Sequence, residues 1–283
     1  MPSNLFWSLP SFASQPQTGW RQSWRDAWRD AWKEVWSSPE IDVDGRGTAS
    51  VRLLPDPDSA LDLNDLSQRV IAHVGLAFEA RIAAGPGVLA VCRDRETADL
   101  LRLAIGAGCR SIISFGVGGG LAPDLIPGDC VVASAIIDYP AVRPTDPLWS
   151  RKLAEMIPDA RHGPIMGVNA VVSDPADKRK LHAFTRAVAV DMESHLVARL
   201  AAAHGLALAA VRVIIDPAHR AVPPAALLAM APGGSADVSA MLREILARPS
   251  QVSPLMRLAA DAISARAALV RLRRALGPSF SWE

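Results

Sequence analysis

Carboxylate side chains follow two apolar runs of this 283-residue sequence. Asp191 and Glu193 come after AVAV, and Asp216 comes directly after AVRVII. A carboxyl group at the end of a buried strand can act as a general acid when burial raises its pKa, and it can also bind substrate hydroxyls. Asp191, Glu193 and Asp216 could instead begin a helix or stabilise a turn, where an acid is favourable without any chemistry.

Glycine marks two further strand ends, GLAFEAR at residues 75–81 and FGVGGGL at residues 115–121. Without side chains, the backbone can approach a flat ring or an anion closely, although the same glycines could equally serve a tight turn or close packing. No helical pattern follows GVGGG at once, and no Lys-Ser/Thr pair is present. The segment is therefore neither a dinucleotide fingerprint nor a phosphate-binding P-loop.

Short apolar runs alternate with helical patterns from about residue 69 onward. The predicted strands are RVIAHV, GVLAVC, RSIISF running into the glycine loop, DCVVASAIID, PIMGVNAVV, AVAVDM and LALAAVRVIID. The predicted helices are ETADLLRLAIGAGC, PADKRKLHAFTR and ESHLVARLAAAHG, followed by helical patterns to the C-terminus. This order predicts an α/β fold with a central, mostly parallel to mixed twisted sheet flanked by helices. Ligands of such folds bind beyond the carboxyl ends of strands.

Composition divides the chain into three parts. Residues 1–67 form an extension with six of the eight tryptophans and a linker rich in Pro and Asp, residues 68–222 form the α/β core, and residues 223–283 form a helical segment expected to pack on that core. The net charge of +1 argues against a nucleic-acid partner. Three scattered cysteines predict no metal site and a reducing compartment. No leader pattern or long apolar run is present, which predicts a cytoplasmic protein.

In this order and spacing, GLAFEA, FGVGGGLAPDLIPGDCVVAS and AVAVDMESHLVARLAAAHGLALAAVRVIIDPAHR resemble the nucleoside phosphorylase and nucleosidase family. That family includes purine and uridine phosphorylases and methylthioadenosine nucleosidase. The resemblance covers residues 69–220. It extends more loosely through DPAHRAVPPAALLAM to the C-terminus, where the sequence is most similar to hopanoid-associated nucleoside phosphorylases, which remove adenine from adenosylhopane.

The resemblance assigns roles to the acids. Asp216 falls at the position of the general acid that protonates purine N7, and the apolar run before it should raise its pKa. Met192 and Glu193 fall at the ribose, where hydrogen bonds to the sugar hydroxyls can strengthen as positive charge develops.

Gly118 and Gly119 would face the purine base. Val171 falls where the family often has an aromatic ring over the base, so weaker stacking is expected here.

Gly75, Arg81, Arg93 and Val117 are expected at the phosphate or water site, with Glu79 as a second catalytic residue. Glu79 lies four residues after Gly75, where nucleosidases carry a water-activating glutamate and phosphorylases often carry an arginine. That position favours hydrolysis, whereas the whole-chain resemblance favours phosphorolysis.

We therefore expect phosphorolysis of adenosylhopane, with inorganic phosphate as co-substrate and with no metal or organic cofactor. The alternatives are a soluble nucleosidase for methylthioadenosine or adenosylhomocysteine, and a non-catalytic nucleoside-binding or membrane-scaffold protein. The resemblance also implies a homo-oligomer.

Two segments suggest peripheral contact with the inner membrane. The last helix is basic near Arg271, Arg273 and Arg274, although an ordinary packing helix is the favoured interpretation. WRQSWRDAWRDAWKEVW at residues 20–36 places a tryptophan at every fourth position. We interpret this repeat as a dispensable or misassigned extension, with a membrane-docking helix as the alternative.

Overall fold

The computed structural model describes residues 69–92, 97–229, 243–244 and 247–282, together with one short ladder near the N-terminus. In that ladder β1 (Asp42–Val43) pairs antiparallel with β2 (Ala49–Ser50), within the segment predicted to be a linker without strands. The tryptophan repeat and the division between residues 67 and 68 lie outside the described residues.

An eight-stranded mixed sheet forms the centre of the described chain, as the sequence predicts. Its strands run in the order β10-β6-β8-β9-β5-β3-β4, β7 pairs with β6, and β10 pairs again with β5. Strands β5, β9, β8, β6 and β10 therefore form a closed ring. The strands are β3 (Val70–Val74), β4 (Val88–Cys92), β5 (Ser111–Gly120), β6 (Cys130–Asp138), β7 (Ala141–Pro144), β8 (Arg161–Gly167), β9 (Ala189–Asp191) and β10 (Ala207–Asp216).

Helices flank this sheet and occupy the C-terminal part, in agreement with the predicted fold class. They are α1 (Ala77–Ala83), α2 (Thr97–Gly106), α3 (Pro147–Met156), α4 (Pro175–Thr185), α5 (Ser194–His204), α6 (Pro224–Ala229) and α7 (Val252–Ala275). Proline follows an aspartate N-cap at the start of α3 and of α4, an arrangement that satisfies free backbone N–H groups and presets the first helical φ angle. Helix α5 ends at Gly205 in the left-handed conformation, as its sequence predicts.

Successive strand residues belong to two buried clusters, one on each face of the sheet, because side chains alternate along a strand. Ile112 packs in a cluster with apolar side chains of α2 and α5. Ile113, the next residue, packs in a cluster with α7 side chains such as Leu269 and Leu272. The C-terminal helix is thus part of the principal core of the domain.

The turn at residues 278–281 fixes the end of α7 against the sheet. The Phe280 ring meets Phe115 edge-on with centroids 5.0 Å apart, and Trp149 Nε1 donates to the Phe280 carbonyl oxygen at 2.9 Å. Arg273 is buried, lies 4.5 Å from the centre of the Phe280 ring and donates to the Ala83 carbonyl oxygen at 2.9 Å. Arg273 therefore belongs to the packed interior, which supports the favoured interpretation of an ordinary packing helix.

Three details differ from the sequence-based expectation. The glycines predicted to form a loop continue β5 to Gly120, because Gly119 and Gly120 pair with Val190 and Ala189 of β9. The predicted strand PIMGVNAVV ends at Gly167 instead of continuing through residue 172. The hairpin strand β7 and the helices α1 and α3 were not predicted, because β7 has only 4 residues and α1 only 7. In α3 the helical spacing of Trp149, Leu153 and Met156 was a usable signal that was overlooked. None of the helices in the described residues is both long and apolar enough to span a membrane.

Candidate active site

Four chain segments bring the predicted site residues to one region of the sheet. Gly75 follows β3, Gly119 lies near the end of β5, Glu193 follows β9, and Asp216 ends β10. Strand β5 links these segments because it pairs directly with β3, β9 and β10. The fold thus gathers acids that lie far apart in the sequence.

Glu79 is buried in the first turn of α1 and joins two of these segments. Its Oε2 accepts hydrogen bonds from the backbone N–H groups of Gly75 at 3.0 Å and Leu76 at 2.9 Å, and its Oε1 accepts one from Val117 at 2.7 Å. A Cβ atom at Gly116 would lie only 2.4 Å from Oε1, so the bare backbone of β5 is required for this contact. The carboxylate therefore fixes the turn after β3 against β5.

The pKa of Glu79 is raised from 4.5 to about 7, first by burial and then by the negative charge of Glu193. The hydrogen bonds from Val117 and Leu76 and the positive charge of Arg212 act in the opposite direction. A carboxyl group with a pKa of about 7 can take up or release a proton near neutral pH, as a general base or acid must.

Glu193 lies against the backbone of Gly75. A Cβ atom at Gly75 would be 2.8 Å from Glu193 Oε1, so glycine leaves the space that this carboxylate occupies. Met192 and Glu193 are both half-buried, between the end of β9 and the first turn of α5. The predicted ribose-binding residues and the predicted water or phosphate site therefore lie side by side.

Asp216 ends β10 opposite Gly119 of β5. The register shifts between Ile214 and Asp216, and such a bulge re-aims the side chains that follow it. A Cβ atom at Gly119 would lie 3.3 Å from either carboxylate oxygen of Asp216. Burial raises the pKa of Asp216, although an ion pair with Lys178 acts to lower it.

A buried network supports the centre of the site. Arg212 Nη2 pairs with Asp191 Oδ2 at 2.6 Å and donates to Ser114 Oγ at 2.6 Å, while Ser194 Oγ donates to Asp191 Oδ1 at 2.6 Å. The side chains of Arg212 and Asp191 are each 1% exposed. Asp191 therefore binds a buried guanidinium group and fixes the first turn of α5. This structural role is close to the alternative in which Asp191 begins a helix.

Sequence reasoning missed Arg212 and Lys178. An arginine inside the apolar run AVRVII is a usable signal, because a charge in a buried strand requires a partner. Lys178 lies in the polar helix PADKRKLHAFT, where nothing distinguishes it from its charged neighbours.

Two predicted residues, Arg81 and Val171, have other surroundings, and a third, Arg93, cannot be placed. Arg81 is exposed in the last turn of α1, and Arg93 lies outside the described residues. Val171 packs against a small apolar cluster that includes Val222 and Leu255. Arg81 is thus not among the buried groups around Glu79.

A cleft of about 720 Å³ lies elsewhere on the described surface, between α3 and strands β6 and β8. Ser150, Arg151 and Glu155 of α3 line it together with Ser134 and His162. It contains none of the predicted site residues. The site around β5 remains the better candidate because the pKa values of Glu79 and Asp216 are raised and the sheet fixes the positions of both.

Comparison with solved structures identifies chains of the same fold. A nucleosidase for 5′-methylthioadenosine and S-adenosylhomocysteine from Campylobacter jejuni is 14% identical, with 72% of this chain and 98% of that chain covered and a TM-score of 0.50. The nucleosidase of the same description from Helicobacter pylori is 16% identical, with 72% and 97% covered and a TM-score of 0.47. Futalosine hydrolase from Helicobacter pylori is 16% identical, with 71% and 97% covered and a TM-score of 0.45. Identities this low bear on the fold alone.

A comparison with curated protein sequences gave no match. The family model described as the Phosphorylase superfamily matches residues 72–247, a range that contains Glu79, the glycines of β5, Glu193 and Asp216. The chain therefore belongs to the Phosphorylase superfamily, and it is an enzyme of the nucleoside phosphorylase and nucleosidase type, which cleaves the N-glycosidic bond of a nucleoside.

Proposed function

We propose that this enzyme releases adenine from adenosylhopane, a lipid-linked adenine nucleoside. The observation that carries the proposed chemistry is the Asp216 carboxyl group, whose pKa is raised, beside the bare backbone of Gly119. The identity of the substrate is supported by the sequence resemblance, which continues through the helical C-terminus.

In the proposed reaction Asp216 donates a proton to purine N7 as the glycosidic bond breaks, so that adenine leaves as a neutral base. A carboxyl group can do this near neutral pH only if it keeps its proton, and burial of Asp216 favours the protonated form. Gly118 and Gly119 offer a flat strip of backbone where the base can lie close to this acid.

The sugar would lie on the Glu193 side of Gly119, since Val190 of β9 pairs with that glycine and Met192 and Glu193 follow. Breaking the bond gives the sugar oxocarbenium character. Hydrogen bonds from the ribose hydroxyls to the Glu193 carboxylate would strengthen as this charge develops and would lower the barrier.

Water is the nucleophile that the surroundings of Glu79 favour. The carboxylate already accepts the backbone N–H groups of Gly75, Leu76 and Val117, which are the donors that a phosphate ion would otherwise use. With a pKa of about 7, ionised Glu79 can take a proton from an attacking water molecule. The products would then be adenine and ribosylhopane.

Phosphorolysis with inorganic phosphate as co-substrate is the second candidate. The raised pKa of Glu79 supports it too, because a protonated carboxyl group would donate a hydrogen bond to phosphate instead of repelling it. The products would then be adenine and a phosphorylated ribosylhopane. A third candidate, hydrolysis of methylthioadenosine or S-adenosylhomocysteine, has the substrates named for the similar nucleosidases.

One experiment separates these candidates. The protein is incubated with adenosylhopane in detergent, with and without phosphate, and the products are identified by mass; methylthioadenosine and S-adenosylhomocysteine are run in parallel. Full adenine release without phosphate establishes hydrolysis, and strict dependence on phosphate establishes phosphorolysis. Turnover of methylthioadenosine at ordinary enzymatic rates, without turnover of adenosylhopane, rejects the lipid substrate. No base release from any nucleoside would contradict the enzymatic proposal.

A lipid-linked substrate requires peripheral contact with the inner membrane, and we include this contact and a homo-oligomeric state in the proposal. Arg271 and Arg274 are exposed on α7 and can meet anionic headgroups, whereas Arg273 is buried. Flotation with phosphatidylglycerol vesicles tests the contact, using the R271Q/R274Q variant and a chain beginning at residue 68. Loss of flotation only in the shortened chain would assign docking to residues 1–67, which contain the tryptophan repeat. Light scattering after size-exclusion chromatography measures the oligomer.

A further inference from the structure

Lys178 is a buried charge on an otherwise polar helix. Its side chain is 0% exposed. The structure describes every residue of α4, and Lys178 is the one among them that is buried. Moving an ammonium group out of water is costly unless it is paired and hydrogen-bonded. A lysine at this position therefore has a specific partner.

Its partners all lie in the segment that begins with the proposed acid. The Nζ atom pairs with Asp216 Oδ2, donates to the Pro217 carbonyl oxygen at 3.1 Å and approaches the Arg220 carbonyl oxygen at 3.4 Å. These contacts saturate the three donor hydrogens of an ammonium group. They also leave Oδ1 as the oxygen of Asp216 that is not committed to Lys178.

Two other charges near Asp216 are paired with each other. Arg220, in the segment after β10, pairs with Asp261 of α7. Their effects on Asp216 oppose each other, because Asp261 raises its pKa and Arg220 lowers it. Among the described residues, Lys178 of α4 is thus the cation paired directly with the carboxyl group.

We propose that Lys178 is a positioning residue that holds the Asp216 carboxyl group in place and stabilises the carboxylate formed when its proton passes to the purine. This inference rests on the proposed role of Asp216. When the C1′–N9 bond breaks, its electron pair passes to the purine, and N7 takes the proton from Oδ1. The negative charge left on Asp216 is then balanced by the Lys178 ammonium group at Oδ2.

Burial and Lys178 act on the acid in opposite directions. Burial keeps the proton on Asp216 before the reaction, whereas the cation makes the same proton easier to release. Without Lys178 the acid should hold its proton more tightly and transfer it more slowly. A carboxyl group must be protonated to act, so the alkaline limb of the pH–rate profile should move to higher pH.

The test uses the full chain with Lys178→Met, which keeps the length of the side chain and removes the charge. Lys180→Met is the matched control, because Lys180 is 78% exposed on the same helix. The pKa of Asp216 is followed by carboxyl ¹³C NMR, with Asp216→Asn to assign the resonance. We expect an upward shift of about 1–3 pH units in Lys178→Met and none in Lys180→Met. An unchanged pKa would overturn the proposal, whether or not the protein cleaves nucleosides.

A second readout separates a chemical role from a merely structural one. 4-Nitrophenyl riboside has a leaving group that needs no proton, so its cleavage does not depend on the strength of the acid. Lys178→Met should slow adenine release by about tenfold or more and leave 4-nitrophenyl riboside cleavage nearly unchanged. Equal losses on both substrates would indicate general disruption and would contradict the proposal. If Lys178→Met does not fold, Lys178→Gln removes the same charge and keeps a hydrogen-bond donor.

If the wild-type chain releases no base while the NMR shift is present, the proposed function fails and the pairing of Lys178 with Asp216 stands. If the wild-type chain releases adenine and the shift is absent, the function stands and the role of Lys178 fails.

Discussion

Gly119 and Asp216 lie opposite each other on parallel neighbouring strands, so close that a Cβ atom on the glycine would be 3.3 Å from both carboxylate oxygens. On its other side Gly119 pairs with Val190, which directly precedes the Asp191–Met192–Glu193 segment. One residue without a side chain thus separates the proposed acid from the proposed ribose-binding segment. The distance between these two groups is set by strand pairing.

Replacing Asp216 by Asn should nearly abolish base release. The amide keeps the size of the side chain but cannot transfer a proton, and loss of a general acid lowers the rate by about 10²–10⁴-fold. Adenine release is measured by chromatography at saturating substrate. Asp177→Asn is the control, since Asp177 is 61% exposed on α4. Wild-type rates in Asp216→Asn would remove the acid assignment.

Replacing Gly75 by Ala should impair catalysis more than folding. The new methyl group would meet the end of the Glu193 side chain, which can move away, so the cost falls on the position of that carboxylate. Loss of a hydrogen bond to a charged group predicts a decrease in kcat/KM of about 10–100-fold. Gly106→Ala is the matched control, because a Cβ atom there has no neighbour within 4 Å. Equal kinetics in the two variants would argue against ribose binding by Glu193.

Glu79 should make the stability of the fold depend on pH. Its pKa rises from 4.5 to about 7 on folding, so between these values the folded state retains a proton that the unfolded chain has released. The stabilisation is complete below pH 4.5 and is lost as pH rises through about 7. The free energy of unfolding should therefore fall by about 3 kcal/mol across this range.

The measurement compares urea unfolding of the wild type and Glu79→Gln at several pH values. The substitution should lower the free energy of unfolding by a constant amount at every pH, because it alters the backbone hydrogen bonds. It should also abolish the decrease in that free energy between pH 4.5 and about 7 that Glu79 causes in the wild type. Parallel stability curves for the two proteins would show that Glu79 does not titrate in this range.

The buried ion pair between Asp191 and Arg212 should matter far more than an exposed one. Asp191→Asn leaves the guanidinium group buried without its counter-ion, which costs about 3–5 kcal/mol in the free energy of unfolding. The exposed pair between Asp124 and Arg161 provides the comparison, and Asp124→Asn should change stability by less than about 1 kcal/mol. Urea denaturation measures both. Similar small effects would mean that water reaches Arg212.

Much of the fold could be predicted because its strands are apolar on both faces. Runs such as VIAHV, VLAVC and AAVRVIID identify buried strands, and the acids that follow them mark the ends where ligands bind. Asp216 could be selected in this way, whereas Glu79 was selected through the family resemblance. In the structure both acids have raised pKa values, Asp216 at the end of β10 and Glu79 in the helix that follows β3.

The remaining features depend on contacts between distant segments. Glycine disfavours a strand, so the sequence predicted a loop at residues 116–120, but pairing with β9 and β10 outweighs that preference. The ion pair between Lys178 and Asp216 joins residues 38 positions apart, and no local sequence pattern predicts it. For the same reason the second pairing of β10, with β5, could not be foreseen.

The closed ring of β5, β9, β8, β6 and β10 also limits the motion of its strands and the structural changes that the site can tolerate. Each strand is hydrogen-bonded on both sides, so none can slide by a residue without breaking the pairings of its neighbours. Asp216 and the segment after β9 are attached to this closed ring, whose strands resist sliding past one another. Differences in substrate size must then be accommodated by the helices and connections outside the closed ring. The sequences of those segments can change while the reacting groups keep their spacing.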